Sequence, residues 1–162
     1  MHREGHYGAA LVAYTPLGAA AVILGAETVT VAGAVAAVAL AMVPDYDQRV
    51  PGLPHRGPTH TVWFALAVGV VAGLAGGWIG TTYATLATVG IGAFGFLVDT
   101  GTVLSHIAAD ALTPMGVRPF APLDSRHISL EVVRAANPVA NYALLVLGVA
   151  VAAGGYAAVT SV

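Results

Sequence analysis

The chain has 162 residues, a length suited to one domain, and a formal net charge of -2. Hydrophobic residues make up 57% of it, charged residues 9%, and the mean hydropathy is +0.81. Soluble proteins carry about 25% charged residues, so this composition excludes an ordinary soluble domain. The absence of a basic run argues against a nucleic-acid partner. Because the chain has no cysteine, it can form neither a disulfide nor a thiolate metal site.

Five apolar segments predict membrane-spanning helices, because lipid does not tolerate open sheet edges, although the second segment is short for a span. Their approximate limits, in chain order, are Gly8–Ala26, Thr28–Val43, Thr59–Ile79, Thr82–Leu112 and Pro138–Thr160. Pro16 is expected to kink the first helix. Charges of both signs near the start do not fit a cleaved signal peptide, so the first helix should stay in the membrane. The predicted fold is all-α, a polytopic membrane helical bundle forming a single domain over residues 1–162.

The polar segments of the chain all fall on one predicted side of the membrane. Five spans place the N-terminal end, residues 44–58 and residues 113–137 together. All six arginines and all six histidines lie in these parts or at the helix ends beside them. Positive-inside counting therefore predicts an integral inner-membrane protein with this side in the cytoplasm. The histidines indicate one polar site at that face.

The fourth span carries three of the candidate site residues on one helical face. Asp99, His106 and Asp110 are spaced by seven and then four residues, which keeps them on that face. His106 and Asp110 should stand near the membrane boundary, and their spacing allows one helix to supply two metal ligands. Asp99 should lie deeper. An intramembrane carboxylate is a functional candidate, with a hydrogen-bonded packing role as the alternative.

Further candidates flank the third span. His60 opens it and His55 precedes it by a short loop, while Thr59 is expected to cap the helix. Arg56 suits a phosphate oxygen, because a guanidinium binds such groups in bidentate fashion. The alternative role for Arg56 is an interfacial anchor paired with lipid headgroups.

The ends of other predicted elements complete the set. His6 begins the first span. Asp45 and Asp47 follow the second span, where they would bind a cation or lie in a solvated turn. His127 and Glu131 are four residues apart and would hold another metal or lie along an interfacial helix.

Together these residues predict one metal site built from nitrogen and oxygen donors. The expected ligands are His6, Asp45, His55, His60, His106 and Asp110, with Asp47, His127 and Glu131 as secondary candidates. This donor set favours Zn²⁺ over Mn²⁺ or Fe²⁺. A bound metal can lower the pKa of a water molecule to about 7. No GxSxG or Walker A motif indicates a competing chemistry.

Several of these segments resemble a known family. They are His6, Pro44-Asp45, His55-Arg56-Gly57-Pro58-Thr59-His60 and the stretch from Ser105-His106 to Gly116. They resemble the YdjM-type inner-membrane proteins over most of residues 1–122. That family is described as metal-dependent hydrolases, and its founding bacterial members as LexA-regulated.

The order of His, Asp, His and HxxxD is also similar to the zinc-dependent phospholipase C and P1-type nuclease superfamily. This resemblance implies one to three zinc ions. Asp45, His60, His106 and Asp110 would hold one ion, and His6 would join Asp110 at a second. The superfamily also uses a free amino terminus as a ligand. The chain departs from its pattern after Asp110, because no histidine follows six residues later.

The resulting hypothesis is a membrane-bound, zinc-dependent hydrolase acting on a small-molecule or lipid phosphoester. Asp110, Arg56 and Asp99 are the residues expected to take part in catalysis. Arg56 would stabilise developing charge, and Asp99 or Asp47 would assist proton transfer. Two alternatives come from other classes. A metal-ion transporter or channel would use Asp99 and His106 as a path, and a non-catalytic scaffold would hold a structural metal.

Overall fold

The computed structural model describes residues 1–161, which contain five long α-helices. They are α1 (Arg3–Ile23), α2 (Glu27–Leu40), α3 (Val62–Thr81), α4 (Thr85–Ala111) and α5 (Pro138–Thr160). Two 3₁₀ helices, Pro44–Arg49 and Pro58–His60, lie between α2 and α3. Helices α1, α3, α4 and α5 are each long and apolar enough to cross a membrane, as is the stretch Glu27–Arg49 that begins with α2. The predicted all-α membrane bundle is therefore confirmed.

Two helices begin at residues other than the predicted ones. Helix α1 extends into the polar residues before its apolar run, and a 3₁₀ helix occupies the predicted start of α3. Helix α1 begins at Arg3, before the apolar run, and continues through Pro16 to Ile23. Helix α3 begins at Val62, and its cap is Thr61, whose hydroxyl accepts the Phe64 N–H at 3.2 Å. The predicted cap at Thr59 is wrong, because residues 58–60 form a separate 3₁₀ helix.

Helices α1 and α4 form the centre of the bundle. Helix α3 packs along α4, α5 packs along α1, and α2 contacts both central helices. Close approach depends on small residues, as it does in many membrane bundles. At the α1–α5 contact, a Cβ added to Gly148 would lie 2.7 Å from the Cα of Gly8. The outward faces are largely apolar and exposed, as lipid-facing surfaces require.

Residues 112–137 form an irregular segment that folds over one end of the bundle. Val117 and Ile128 pair as an isolated antiparallel bridge, with N–H···O distances of 2.9 and 2.8 Å. The Leu130 N–H donates to the Ala111 carbonyl at 2.8 Å, which ties the segment to the end of α4. The Val62 N–H donates to the Pro119 carbonyl at 2.8 Å, which ties it to the start of α3.

The predicted interfacial helix for His127 and Glu131 is wrong. Glu131 has a left-handed backbone with φ of 52°, and the exposed His127 ring hydrogen-bonds the Met115 carbonyl at 2.8 Å. Prolines within residues 113–137 remove backbone donors, and the segment has no apolar repeat to bury. The pair is therefore not held on one helical face.

Candidate metal centre

Four side-chain atoms from three parts of the chain converge at one end of the bundle. They belong to Asp45, His60, His106 and Asp110, and one ligand atom of each lies within 4.8 Å of those of the other three. The two Nε2 atoms are 3.2 Å apart, and Asp45 Oδ1 is 3.5 Å from each of them. Asp110 Oδ2 is 3.4 Å from His60 and 3.6 Å from His106. A tetrahedral zinc ion with bonds of about 2.0–2.1 Å separates its ligands by about 3.3 Å, so the donor set fits such an ion.

Secondary structure explains why these atoms meet. His106 and Asp110 are one turn apart on α4, which places both side chains on its inward face. Asp45 lies in the 3₁₀ helix that follows α2, and His60 ends the 3₁₀ helix that precedes α3. His60, His106 and Asp110 are at most 1% exposed. The connection between α2 and α3 therefore closes the site over the end of α4.

The surroundings of His60 and His106 determine which ring nitrogen faces the cluster. His106 Nδ1 is 2.7 Å from the Ala41 carbonyl oxygen, which only accepts, so Nδ1 carries the proton. His60 Nδ1 is 3.4 Å from Asp47 Oδ2 and 3.1 Å from the Thr59 hydroxyl. Outer hydrogen bonds of this kind orient metal-binding imidazoles and free the other nitrogen as a ligand. Both rings accordingly present Nε2 to the cluster.

Asp47 organises the loop behind the cluster. Its Oδ1 lies 3.0 Å from His55 Nδ1, and its Oδ2 accepts the Arg56 N–H and the Thr59 hydroxyl, each at 3.0 Å. Arg56 has a left-handed backbone with φ of 58°, which is uncommon outside glycine. The Asp47 hydrogen bond holds the backbone of that residue. Asp47, His55 and His60 also form a second group of candidate ligands, which shares His60 with the first.

His55 lies at the margin of the first cluster. Its side chain is 35% exposed, and its Nδ1 is 4.0 Å from Asp45 Oδ1 but only 3.0 Å from Asp47. The nitrogen nearest the cluster is therefore already engaged by Asp47.

His6 lies against the opposite side of the cluster. Its ring stacks on His106 with centroids 3.6 Å apart and planes 7° from parallel. Its Nε2 is 3.6 Å from Asp110 Oδ1 and 4.0 Å from Asp45 Oδ2. Within residues 1–161 neither ring nitrogen has a hydrogen-bond partner, although the ring is fully buried. Buried polar atoms normally have a partner, so His6 and Asp45 Oδ2 form a candidate position for another cation, whereas Asp110 Oδ1 already accepts from Arg56.

Arg56 already neutralises part of the Asp110 charge. One guanidinium nitrogen donates to Asp110 Oδ1 at 2.7 Å, and the other donates to the Thr113 hydroxyl at 2.9 Å and the Gly116 carbonyl at 3.0 Å. The Met1 amino nitrogen also contacts Asp110 Oδ1. Arg56 is thus fixed beside the cluster, and its predicted contact with a phosphate oxygen stays a prediction.

Protonation of His60 would compete with metal binding. Burial opposes the charged form, but hydrogen bonds with Asp110 and Asp45 outweigh it and raise the pKa of the imidazole above its ordinary value. A metal has to displace this proton, so its affinity increases as the pH rises through that raised pKa.

Other predicted residues lie away from the cluster. Asp99 precedes His106 by seven residues, about 10 Å along the axis of α4. It is 6% exposed, and among residues 1–161 its Oδ1 has no hydrogen-bond partner. His127 and Glu131 belong to neither group of candidate ligands that the described residues form.

Asn141 is a structural residue that the sequence analysis did not identify. Its Oδ1 accepts the His2 N–H at 2.9 Å, and its Nδ2 donates to the Ala135 and Asn137 carbonyls at 3.0 and 2.7 Å. It thereby holds the start of α1, and with it His6, against α5. An amide side chain within an otherwise apolar predicted span would have indicated a structural role for Asn141.

Comparison with known proteins identifies the family. The family model described as YdjM inner membrane protein matches residues 1–162, more of the chain than the resemblance over residues 1–122. Comparisons with curated proteins and with solved structures give no match. Five membrane-spanning helices agree with an inner-membrane family. The chain is therefore a multi-pass membrane protein with a candidate His/Asp metal centre, and it belongs to the YdjM inner membrane protein family.

Proposed function

We propose that this protein is a membrane-bound, zinc-dependent hydrolase of phosphoester bonds. The observation that carries the proposal is the convergence of Asp45, His60, His106 and Asp110, with two imidazole nitrogens and two carboxylate oxygens 3.2–3.6 Å apart in the measured pairs. Zinc accepts such a mixed donor set and a four-coordinate geometry. Mn²⁺ and Fe²⁺ are the competing ions, since they bind the same ligand types.

The residues of the cluster and those around it would have different roles in hydrolysis. His60, His106, Asp45 and Asp110 would hold the ion. Because four protein ligands complete a tetrahedral shell, hydrolysis would require a fifth position, which zinc allows, where the bound ion would lower the pKa of a water molecule toward neutral. Arg56, which hydrogen-bonds Asp110 Oδ1, places a positive charge beside the reacting centre and stabilises negative charge that develops there. Neither Asp47 nor Asp99 is needed as a ligand. Asp47 lies 3.4 Å from His60 Nδ1, and Asp99 lies about 10 Å from His106 along α4.

The first test is metal content. Detergent-purified wild type should contain about one equivalent of zinc by elemental analysis, or two if the position beside His6 is also filled. The His106→Ala/Asp110→Ala double variant should lose it, because two of the four ligands are gone. His127→Ala is the matched control, since His127 lies outside the cluster and should keep the wild-type content.

Activity is measured next on bis(p-nitrophenyl) phosphate and p-nitrophenyl phosphate, with wild type beside the double variant. Metal-dependent release of p-nitrophenol by the wild type alone is the expected result. Wild-type protein that carries no metal after chelator-free purification contradicts the proposal, as does metal-loaded protein inactive on both esters and on a lipid phosphoester.

We also propose that the metal centre faces the cytoplasm. The arginines Arg3, Arg49, Arg56, Arg118, Arg126 and Arg134 all lie at the same end of the bundle as the cluster or in the segments that cover it. An excess of arginine marks the cytoplasmic side of inner-membrane proteins. Substrate would then reach the site from the cytoplasmic leaflet or the cytosol.

A further inference from the structure

Residues 118–127 form a loop that lies beside the start of α3. The Val62 N–H donates to the Pro119 carbonyl at 2.8 Å, and the Trp63 indole nitrogen lies 3.5 Å from the Phe120 carbonyl oxygen. Both contacts involve the first two residues of a helix that is long and apolar enough to span a membrane. The loop is therefore held at the depth at which α3 enters the bilayer.

The loop exposes large apolar side chains at that depth. Phe120 is 42% exposed and Leu123 is 78% exposed. Trp63 beside them is 44% exposed, and tryptophan is enriched at the membrane–water boundary. Exposed apolar side chains that lie together mark a surface that contacts a membrane or another protein. Their place next to a tryptophan at the start of a spanning helix favours the membrane.

The charges of the loop suit contact with an anionic leaflet. Two arginines and one aspartate give it a formal charge of +1. The aspartate, Asp124, follows Leu123 directly and would oppose entry of the loop into lipid, but Arg126 pairs with it at 2.7 Å. The negative charge beside the apolar tip is thereby compensated, and the remaining positive charge of Arg118 favours anionic lipids.

We propose that residues 119–123 form an interfacial anchor, with Phe120 and Leu123 inserted into the lipid leaflet beside Trp63. The occupant of this apolar surface is the leaflet around α3, bound as a surface and not as a substrate. Apolar groups of interfacial anchors reach about 5–10 Å into the boundary between headgroups and acyl chains.

The anchor also holds the segment that covers the metal centre. The loop begins two residues after Gly116, whose carbonyl accepts from Arg56 at 3.0 Å. A cavity of about 890 Å³ lies between the loop and residues 54–58, so the protein itself supports the loop incompletely on that side. The leaflet supplies further support, which makes the position of this cover depend on the membrane.

Depth-dependent fluorescence quenching tests the anchor. Because the chain has no cysteine, Leu123→Cys provides a single site for a small maleimide fluorophore, at a side chain exposed enough to be replaced without loss of packing. The labelled full-length protein is reconstituted into vesicles of phosphatidylethanolamine and phosphatidylglycerol. The quenchers are a lipid with a nitroxide near the carbonyl end of its acyl chain, a lipid with a nitroxide near the chain end, and iodide on both sides of the membrane.

Two other labelled positions calibrate the depth. Ser125→Cys is exposed in the same loop, and Val149→Cys is exposed at the middle of α5. At position 123, the shallow nitroxide should quench more strongly than the deep one, and the iodide quenching constant should be several times smaller than at position 125. At position 149, the deep nitroxide should quench more strongly.

Iodide quenching at position 123 as strong as at position 125 would overturn the proposal, because the tip of the loop would then lie in water. Protection from iodide and from both nitroxides would also overturn it, and would indicate that a second copy of the chain or another protein covers the tip. Neither result depends on bound metal or on ester cleavage, so the proposed hydrolase is tested separately.

Discussion

At the scale of single residues, the role of Asp47 depends on its two oxygens being occupied by protein donors. His55, the Arg56 N–H and the Thr59 hydroxyl all lie 3.0 Å from this buried carboxylate, and His60 Nδ1 lies 3.4 Å from it. A carboxylate with this many protein contacts has little capacity left for a metal. We infer that Asp47 positions His60.

Replacing Asp47 with Asn should weaken zinc binding by about ten- to hundredfold without abolishing it, because outer-shell partners of ligating histidines have effects of this size. The measurement is a competition titration against a chromophoric chelator in detergent. Asp124→Asn is the control, since among residues 1–161 the Asp124 carboxylate hydrogen-bonds Arg126 alone. Wild-type affinity in Asp47→Asn would exclude the positioning role. Complete loss, as expected for His106→Ala, would instead make Asp47 a ligand.

The residues that meet in the cluster were predictable at this scale, and the hydrogen bonds around them were not. His106 and Asp110 follow from four-residue spacing on a helix, and Asp45 and His60 follow from the side on which their segments emerge. Arg56 was expected to bind a phosphate oxygen or a lipid headgroup, and the sequence did not indicate that it also donates to Asp110, Thr113 and the Gly116 carbonyl. These Arg56 hydrogen bonds depend on how the chain runs after α4, and the sequence near Arg56 gives no information about that path.

At the scale of secondary-structure elements, the contact between α1 and α5 determines where His6 lies. The two helices meet at Gly8 and Gly148, where a Cβ on Gly148 would lie 2.7 Å from the Gly8 Cα and 2.9 Å from its carbonyl carbon. Backbone atoms cannot yield as a flexible side chain does, so any side chain here separates the helices.

Gly148→Ala should destabilise the protein by about 1–3 kcal/mol, the usual cost of overpacking. The decrease is measured as a lower thermal unfolding midpoint in detergent. Gly154→Ala is the control on the same helix, because a Cβ there would meet no atom of residues 1–161 within 4 Å. The close-contact argument fails if the two variants unfold at the same temperature.

The pattern of apolar residues was sufficient to predict the five helices, but it did not predict the structure of residues 112–137, which cover the site. Continuous apolar runs long enough to span a membrane have few alternative structures in lipid. The sequence therefore identified these runs as helices, and only the residues at which the helices begin and end differ in the structure. Helix α1 begins at Arg3 because its backbone hydrogen bonding continues into the polar residues that precede the apolar run. Residues 112–137 have no such pattern, and the Val117–Ile128 bridge that organises them joins positions too far apart for any periodicity to reveal.

At the scale of the whole molecule, the uneven distribution of arginine predicts orientation, and the absence of cysteine makes it measurable. Single cysteines introduced as Thr82→Cys and Ser125→Cys would occupy exposed positions at opposite ends of the bundle. In spheroplasts, a membrane-impermeant maleimide should label the cysteine at position 82. It should label the one at position 125 only after lysis.

A cysteine-free wild-type chain serves as the background for that labelling. The reverse pattern would place the metal centre on the outer face and would contradict the cytoplasmic assignment. Equal labelling of both positions before and after lysis would show that the two ends are not separated by a membrane.

The metal centre also bears on the order in which the protein matures. Its four candidate ligand atoms come from residues 45, 60, 106 and 110, and the last two lie near the end of α4. A partly synthesised chain that ends before α4 holds only Asp45 and His60 of this set. Metal acquisition at this centre would thus be a late event in biogenesis, possible only once α4 has been inserted beside α1 and α3. Bound metal would then report that the bundle has been assembled.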